Sequence, residues 1–181
     1  MALSKIQAES MNLADTYAFT GTVSGVDGKF ESQLFHVRDE KTAGVNGGTS
    51  SGGADNNRDL NTVKTNEISG ASLSSNQVTL PAGTYYVHAS APCYKGNGHR
   101  LVLYNISDGA NEIIGTNAFA SINDNGFNRS FVIGRFTISG SKTLKFITWT
   151  DLGQANNGLG VQEPADGRIE IYTDAQFWKV A

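Results

Sequence analysis

Cysteine is almost missing from this sequence. Cys93 stands alone, so neither an intramolecular disulfide nor a cysteine-based zinc site is available. No histidine or basic cluster adjoins it, and it reads as a small, partly buried hydrophobe. Basic residues do not predominate either: 14 Lys and Arg against 17 Asp and Glu give a net charge of -3, with no electrostatic footprint for nucleic acid or an anionic membrane. No apolar run approaches the roughly 20 residues that cross a bilayer. The leading MALSKIQAES lacks the apolar core of a secretory signal, which points to synthesis in a cytosol. The catalytic patterns G-x-S-x-G and H-E-x-x-H are missing, and GVNGGTSSGG lacks the lysine and following helix of a phosphate loop. His36, His88 and His99 are far apart and without metal spacing. His88 reads as a hydrogen-bonded core or interface histidine. The expectation is no enzyme, no cofactor and no bound metal.

What is present is glycine, polar loop residues and short apolar runs, a mixture suited to many strands in one domain. Gln77–Cys93 (QVTLPAGTYYVHASAPC) organises the rest. Pro81-Ala82-Gly83 reads as a tight turn. Thr84–Ala89 reads as a strand apolar on both faces, the pattern of a strand covered on both sides. With no helix to cover the outer face, a second copy of the chain is the natural cover.

Taken in order, Ala2–Asp15 is polar, with Ile6, Leu13 and Tyr17 sparsely placed and Ser4 with Gln7 suited to capping a short helix. Such a segment buries too little to fold alone and reads as an arm that docks on a neighbour. From Tyr17 the period becomes two, and Gly25–Gly28 punctuates the chain, placing the arm at residues 1–28 and the main domain at 29–181. Leu34–Asp39 is its first strand. Thr42–Asn57 is a long glycine-rich loop of the kind that is usually functional or mobile. Asp55, Asn56, Asn57 and Asp59 do not match the helix-loop-helix calcium pattern and read as a solvated loop.

Two short edge-like strands follow around Leu60–Leu73. A turn of Pro92 and Lys95–Gly98 leads to the strand Arg100–Ile106, and a hairpin at Asn105–Gly109 to Glu112–Gly115. Ser130–Ser139 and Lys142–Thr150 are read as a hairpin about Ser139-Gly140-Ser141. Val132, Gly134, Phe136 and Ile138 share one face of the former, with Phe131 and Ile133 on the other. Leu144 and Phe146 oppose Ile147 and Trp149 in the latter. After the loop Asp151–Gly167 come Arg168–Thr173 and the aromatic Ala175–Val180. The acids Asp55, Asp59, Asp124, Asp151, Glu163 and Asp166 lie in turn-like segments where solvated carboxylates are ordinary. Asn105-Ile106-Ser107 and Asn128-Arg129-Ser130 match the glycosylation triplet but read as turn residues. Eight to ten strands and no helix beyond residue 20 predict an all-β fold, an antiparallel two-sheet jelly roll or sandwich behind an extended or partly helical arm.

From Val78 to Val180 the order of signals resembles the jelly roll of the complement q-type globular head and the tumour-necrosis-factor domain. LPAGTYYVHASA, SFVIGRFTISGSKTLKFITW and the terminal QFWKV carry the likeness. That resemblance implies a homotrimer packed through aromatic faces. Over nearly the whole chain, LADTYAFTGTVSG, FHVRDEKTAG, NEISGASLSSNQVTLPAGTYYVHASAP and LYNISDG resemble modules of tailed-phage virion proteins, of tail-fibre and head-decorating type. This second resemblance implies a protein on the virion surface, fastened by its arm to capsid or tail proteins.

The expected site residues follow. Ile6, Leu13, Tyr17 and Phe19 anchor the arm to the particle. Tyr86, Phe177 and Trp178 form the trimer contact. Tyr94, Lys95, Asn97 and His99, a ring among polar groups, touch a host surface glycan. The alternatives are a capsid-decorating cement protein and a glycan-binding or glycan-cleaving module. Neither nucleic acid nor membrane insertion is expected.

Overall fold

Strand faces in this chain are set by alternation. In the strand Gly83–Tyr94 the side chains of Tyr85, Val87, Ala89 and Ala91 are buried, while Tyr86 and His88 between them are exposed. The computed structural model describes residues 33–163 and 166–180. Eleven strands run through them: β1 Gln33–Lys41, β2 Ala54–Asn57, β3 Thr62–Asn66, β4 Ser72–Ser74, β5 Gln77–Leu80 and β6 Gly83–Tyr94. These are followed by β7 Asn97–Asn105, β8 Ala110–Ala120, β9 Phe127–Ile138, β10 Lys142–Thr150 and β11 Glu170–Lys179.

All pairings are antiparallel and form two sheets, ordered β3-β1-β11-β6-β9 and β4-β5-β10-β7-β8, with β2 added to β10 beyond β5. This is a jelly-roll β-sandwich. Short connections mostly hand the chain from one sheet to the other. Pro81-Ala82 does so between β5 and β6, and Ser139-Gly140-Ser141 between β9 and β10. The expected β9–β10 hairpin is therefore a sheet-to-sheet crossing, because a glycine turn is equally good at either task. The β7–β8 hairpin forms as expected, with Asn105 accepting from the Asp108 amide and donating to Asp108 and Glu112. Pro92 lies inside β6, and the turn after that strand is Lys95-Gly96. Arg168–Thr173 and Ala175–Val180 merge into the single β11, since Asp174 between them points outward to Arg38 and His36.

The core lies between the sheets. Phe177 from one sheet meets Phe146 from the other at 6.0 Å, and Phe136 packs edge-on against Phe177 and stacks on Tyr85. Tyr85 donates its hydroxyl to the Pro81 carbonyl at 2.7 Å, satisfying its one buried polar atom. Along the β8–β9 edge the sheets approach closely. The Phe131 amide donates to Thr116 Oγ1 at 3.1 Å, and Gly115 sits where any Cβ would collide with the main-chain oxygens of Phe131 and Leu101.

The expected loop Thr42–Asn57, of the functional or mobile kind, ends in the strand β2, and its glycine-rich part Thr42–Gly53 is tied down. Gly47 donates to Gly160 at 2.9 Å, Gly48 to Asn156 at 3.2 Å, and Ser50 and Gln154 exchange both main-chain bonds. Glycine permits this contact: a Cβ on Gly47 would come within 2.6 Å of the Leu159 carbonyl oxygen. Asn56, weighed above for calcium, turns inward instead, and its amide donates to Ser51, Ala54, Thr148 and Thr150.

Beneath these two segments lies a buried cation. Arg58 is 1% exposed; Nε donates to Thr173 Oγ1 at 3.0 Å, and its terminal nitrogens donate to the carbonyls of Pro92 at 3.2 Å and Leu159 at 2.8 Å. Burial lowers its pKa to about 10, with Asp39 pulling the other way. The guanidinium thus staples β6, β11 and the segment before β11 together.

Candidate functional site

The outer face of the five-stranded sheet follows from cross-strand register. Leu34, Trp178, Tyr86 and Arg135 form one row, and His36, Gln176, His88 and Ile133 the next. Arg38, Asp174, Ser90 and Phe131 form the third. Tyr86 and Trp178 lie 6.1 Å apart with tilted rings, and His88 stacks on Phe131 at 6.4 Å. Tyr86 is 41% exposed, Ile133 49% and Phe131 37%. Tyr86, Trp178, Ile133 and Phe131 thus form an apolar strip across neighbouring strands, with Arg135, His36 and Gln176 beside it.

One end of the strip is polar. Asp174 accepts from Arg38 Nε at 2.9 Å and bonds His36 Nε2 at 2.7 Å, while Arg129 donates to Ser90 and to the Tyr172 carbonyl. Burial holds the Arg129 pKa below its ordinary value, with Asp174 opposing.

Among the expected contact residues, Tyr86 and Trp178 lie on this face. Phe177 does not. It faces inward with no exposed area and is a centrepiece of the core, so it is withdrawn from the contact. The physical reason is alternation: adjacent strand residues point to opposite faces, so Phe177 and Trp178 cannot share one.

Tyr94, Lys95 and Asn97, expected as receptor residues, are half-buried and engaged with one another and with the loop 121–126. Tyr94 donates its hydroxyl to Asn125 Oδ1 at 3.1 Å, and the Lys95 ammonium lies 5.3 Å from the Tyr94 ring centre. Asn97 Oδ1 accepts from the Ile122 amide at 3.0 Å, so this turn braces the loop 121–126. His99 is corrected: it is 2% exposed and faces the interior, and burial lowers its pKa. The Cys93 thiol is likewise buried and pushed up to about 11. The anchoring residues Ile6, Leu13, Tyr17 and Phe19 lie outside the described residues. Among the described residues no group of three metal-ligating side chains converges.

The opposite face of the molecule carries a groove that the sequence reading missed. It lies on β7, β8 and β10, encloses about 890 Å³, and is lined by Arg100, Val102, Ile114, Asn117, Phe119 and Trp149, among others. The signal for Trp149 was available, since alternation with the buried Phe146 and Thr148 turns it outward. Arg100 becomes its neighbour only through the β7–β10 register.

No family model matches the chain, and no curated protein matches it in sequence. Its structure is similar to murine APRIL at pH 5.0, with a TM-score of 0.54 and 11% identity, over 82% of this chain and 99% of that one. It is similar to the globular domain of a zebrafish complement 1qA protein, with a TM-score of 0.51 and 13% identity, over 83% and 98%. It is also similar to Eiger TNF from S. frugiperda, with a TM-score of 0.54 and 12% identity, over 83% and 93%. The fold is thus the jelly roll of the tumour-necrosis-factor and complement q domains.

Proposed function

We propose that this chain is a non-enzymatic, homotrimeric surface protein of a tailed-phage particle, a short head or tail appendage that contributes to host attachment. The carrying observation is the apolar strip of Tyr86, Trp178, Ile133 and Phe131 across β6, β9 and β11, which a single chain leaves open. Packing this face against further copies buries it and leaves the opposite sheet outward. The jelly-roll likeness supports association through this sheet. The resemblance of the chain's segments to virion modules supports the particle, and residues 1–28 are the proposed attachment to capsid or tail proteins. Asp39, His99 and Cys93, whose pKa values burial displaces, lie in the interior.

Sedimentation equilibrium tests the assembly. Three chain masses are expected for the protein, and one for the double variant Tyr86→Glu, Trp178→Glu. A single-chain mass for the unaltered protein overturns the reading. Deletion of residues 2–23 is expected to leave the trimer intact and abolish incorporation into particles.

One observation favours a second reading, capsid decoration. The long loops are laced together rather than free to reach a receptor. In that case particles lacking the protein lose heat tolerance while their adsorption to cells is unchanged.

A further inference from the structure

We propose that the groove on β7, β8 and β10 is a saccharide subsite that takes a carboxylate-bearing sugar. It deepens the attachment reading and rests on it for its purpose, but its chemistry stands on the groove alone. Register sets Asp55, Trp149, Arg100 and Asn117 side by side across four strands. Trp149 is 41% exposed in the middle of its sheet, where an indole ordinarily finds cover. Val102 and Ile147, on the same outer face, are buried by their neighbours, and Ile114 and Phe119 stand exposed along β8. The result is an apolar floor with an aromatic platform, within the usual volume of small-ligand sites.

The polar groups specify the ligand. Arg100 Nε donates to Asn117 Oδ1 at 2.7 Å, and one terminal nitrogen donates to the same oxygen, which fixes the guanidinium in place. Among the described residues no acceptor engages its other terminal nitrogen or Asn117 Nδ2. Among the described residues no carboxylate lies within ion-pair distance of Arg100, a trait it shares with several other cations, but Arg100 is the one held beside an exposed indole in a groove. Arg100 is therefore a positioned cation with no counter-charge, suited to a carboxylate in a charge-assisted, two-pronged bond.

Asn111 also lines the groove, and no side-chain hydrogen bond engages it among the described residues. Asp55 lies beyond Trp149, one strand from it and two from Arg100, outside the lining of the groove. Flat C–H faces alternating with hydroxyls are what a pyranose offers. The C–H face suits the electron-rich indole face, and the hydroxyls suit the amides. A purely apolar peptide would leave the guanidinium and amides without partners. Nucleic acid is disfavoured by one cation in a groove on a chain of net charge -3.

The test uses the full chain with two probes of equal length, trigalacturonate and maltotriose. The acidic trisaccharide is expected to shift the Trp149 indole and Arg100 and Asn117 side-chain resonances, with a dissociation constant on the order of 1 mM and at least about tenfold tighter than maltotriose. Trp149→Ala should abolish binding of both, and Arg100→Gln should erase the preference for the acid. The idea is overturned if trigalacturonate gives no shifts at millimolar concentration, shifts residues elsewhere, or binds no better than maltotriose. It is equally overturned if a folded Trp149→Ala protein binds undiminished. Should that variant not fold, the shift map on the unaltered protein decides alone. Sedimentation of the same samples reports the trimer separately, so a silent groove and a failed assembly are told apart.

Discussion

His99 couples stability to pH with a definite sign. Burial is the main cause of its lowered pKa, partly opposed by the Asn97 carbonyl, which lies 3.2 Å from Nδ1. In the folded chain the imidazole stays neutral below the ordinary value of 6.5, while the unfolded chain takes up its proton there. Stability therefore falls as pH drops from about 6.5 towards the lowered folded value. Asp39 acts with the opposite sign, because burial raises its pKa above 3.8. His99→Gln removes the first effect and keeps the second. Urea unfolding between about pH 7 and pH 5 should show a flatter slope for the variant, and equal slopes would refute the assignment. At this scale alternation alone sets Tyr85 and Tyr86 on opposite faces, and only the packed fold decides that Tyr85 is the one inside. The same rule, applied to Phe177 and Trp178, would have kept Phe177 out of the contact. Nothing around Arg58 in DNNRDL marks it as the interior cation, because its acceptors come from Pro92, Leu159 and Thr173.

Among elements, the β8–β9 edge is tightly constrained. Gly115→Ala pushes a methyl against two main-chain oxygens that cannot rotate away, and should cost about 3 kcal/mol, read as a lowered denaturation midpoint. Gly140→Ala, where nothing lies within 4 Å, is the control and should change little. An unchanged Gly115→Ala midpoint would mean the sheets are not in contact there. Strand existence was legible, because β1, β6, β7, β9 and β10 announce themselves by β-branched and aromatic alternation. Which strand pairs with which was not. The same few turn residues make the β7–β8 hairpin and the β9–β10 crossing. The lacing of Gly47, Gly48 and Ser50 to residues 154–160 runs largely through the main chain, and the Thr49 and Ser50 hydroxyls that assist it look in the sequence like ordinary loop residues.

For the whole molecule, assembly and folding are one equilibrium if the aromatic strip is a subunit contact. A trimer that unfolds to separate chains gains about 0.9 kcal/mol per chain for each tenfold rise in concentration, two-thirds of the usual 1.4. That corresponds to a rise in Tm of about 3 °C per tenfold for a chain of this size. Tyr86→Glu combined with Trp178→Glu should make Tm independent of concentration. A concentration-independent Tm in the unaltered protein would count against the trimer.

The placement of β11 has a consequence for biosynthesis. It lies in the middle of its sheet, with β1 on one side and β6 on the other, although it is the last of the eleven strands to leave the ribosome. Until then the edges of β1 and β6 that β11 joins have no strand between them. Because one strand carries Phe177 into the core and Trp178 to the outer face, the surface proposed for association is complete only when the interior is complete.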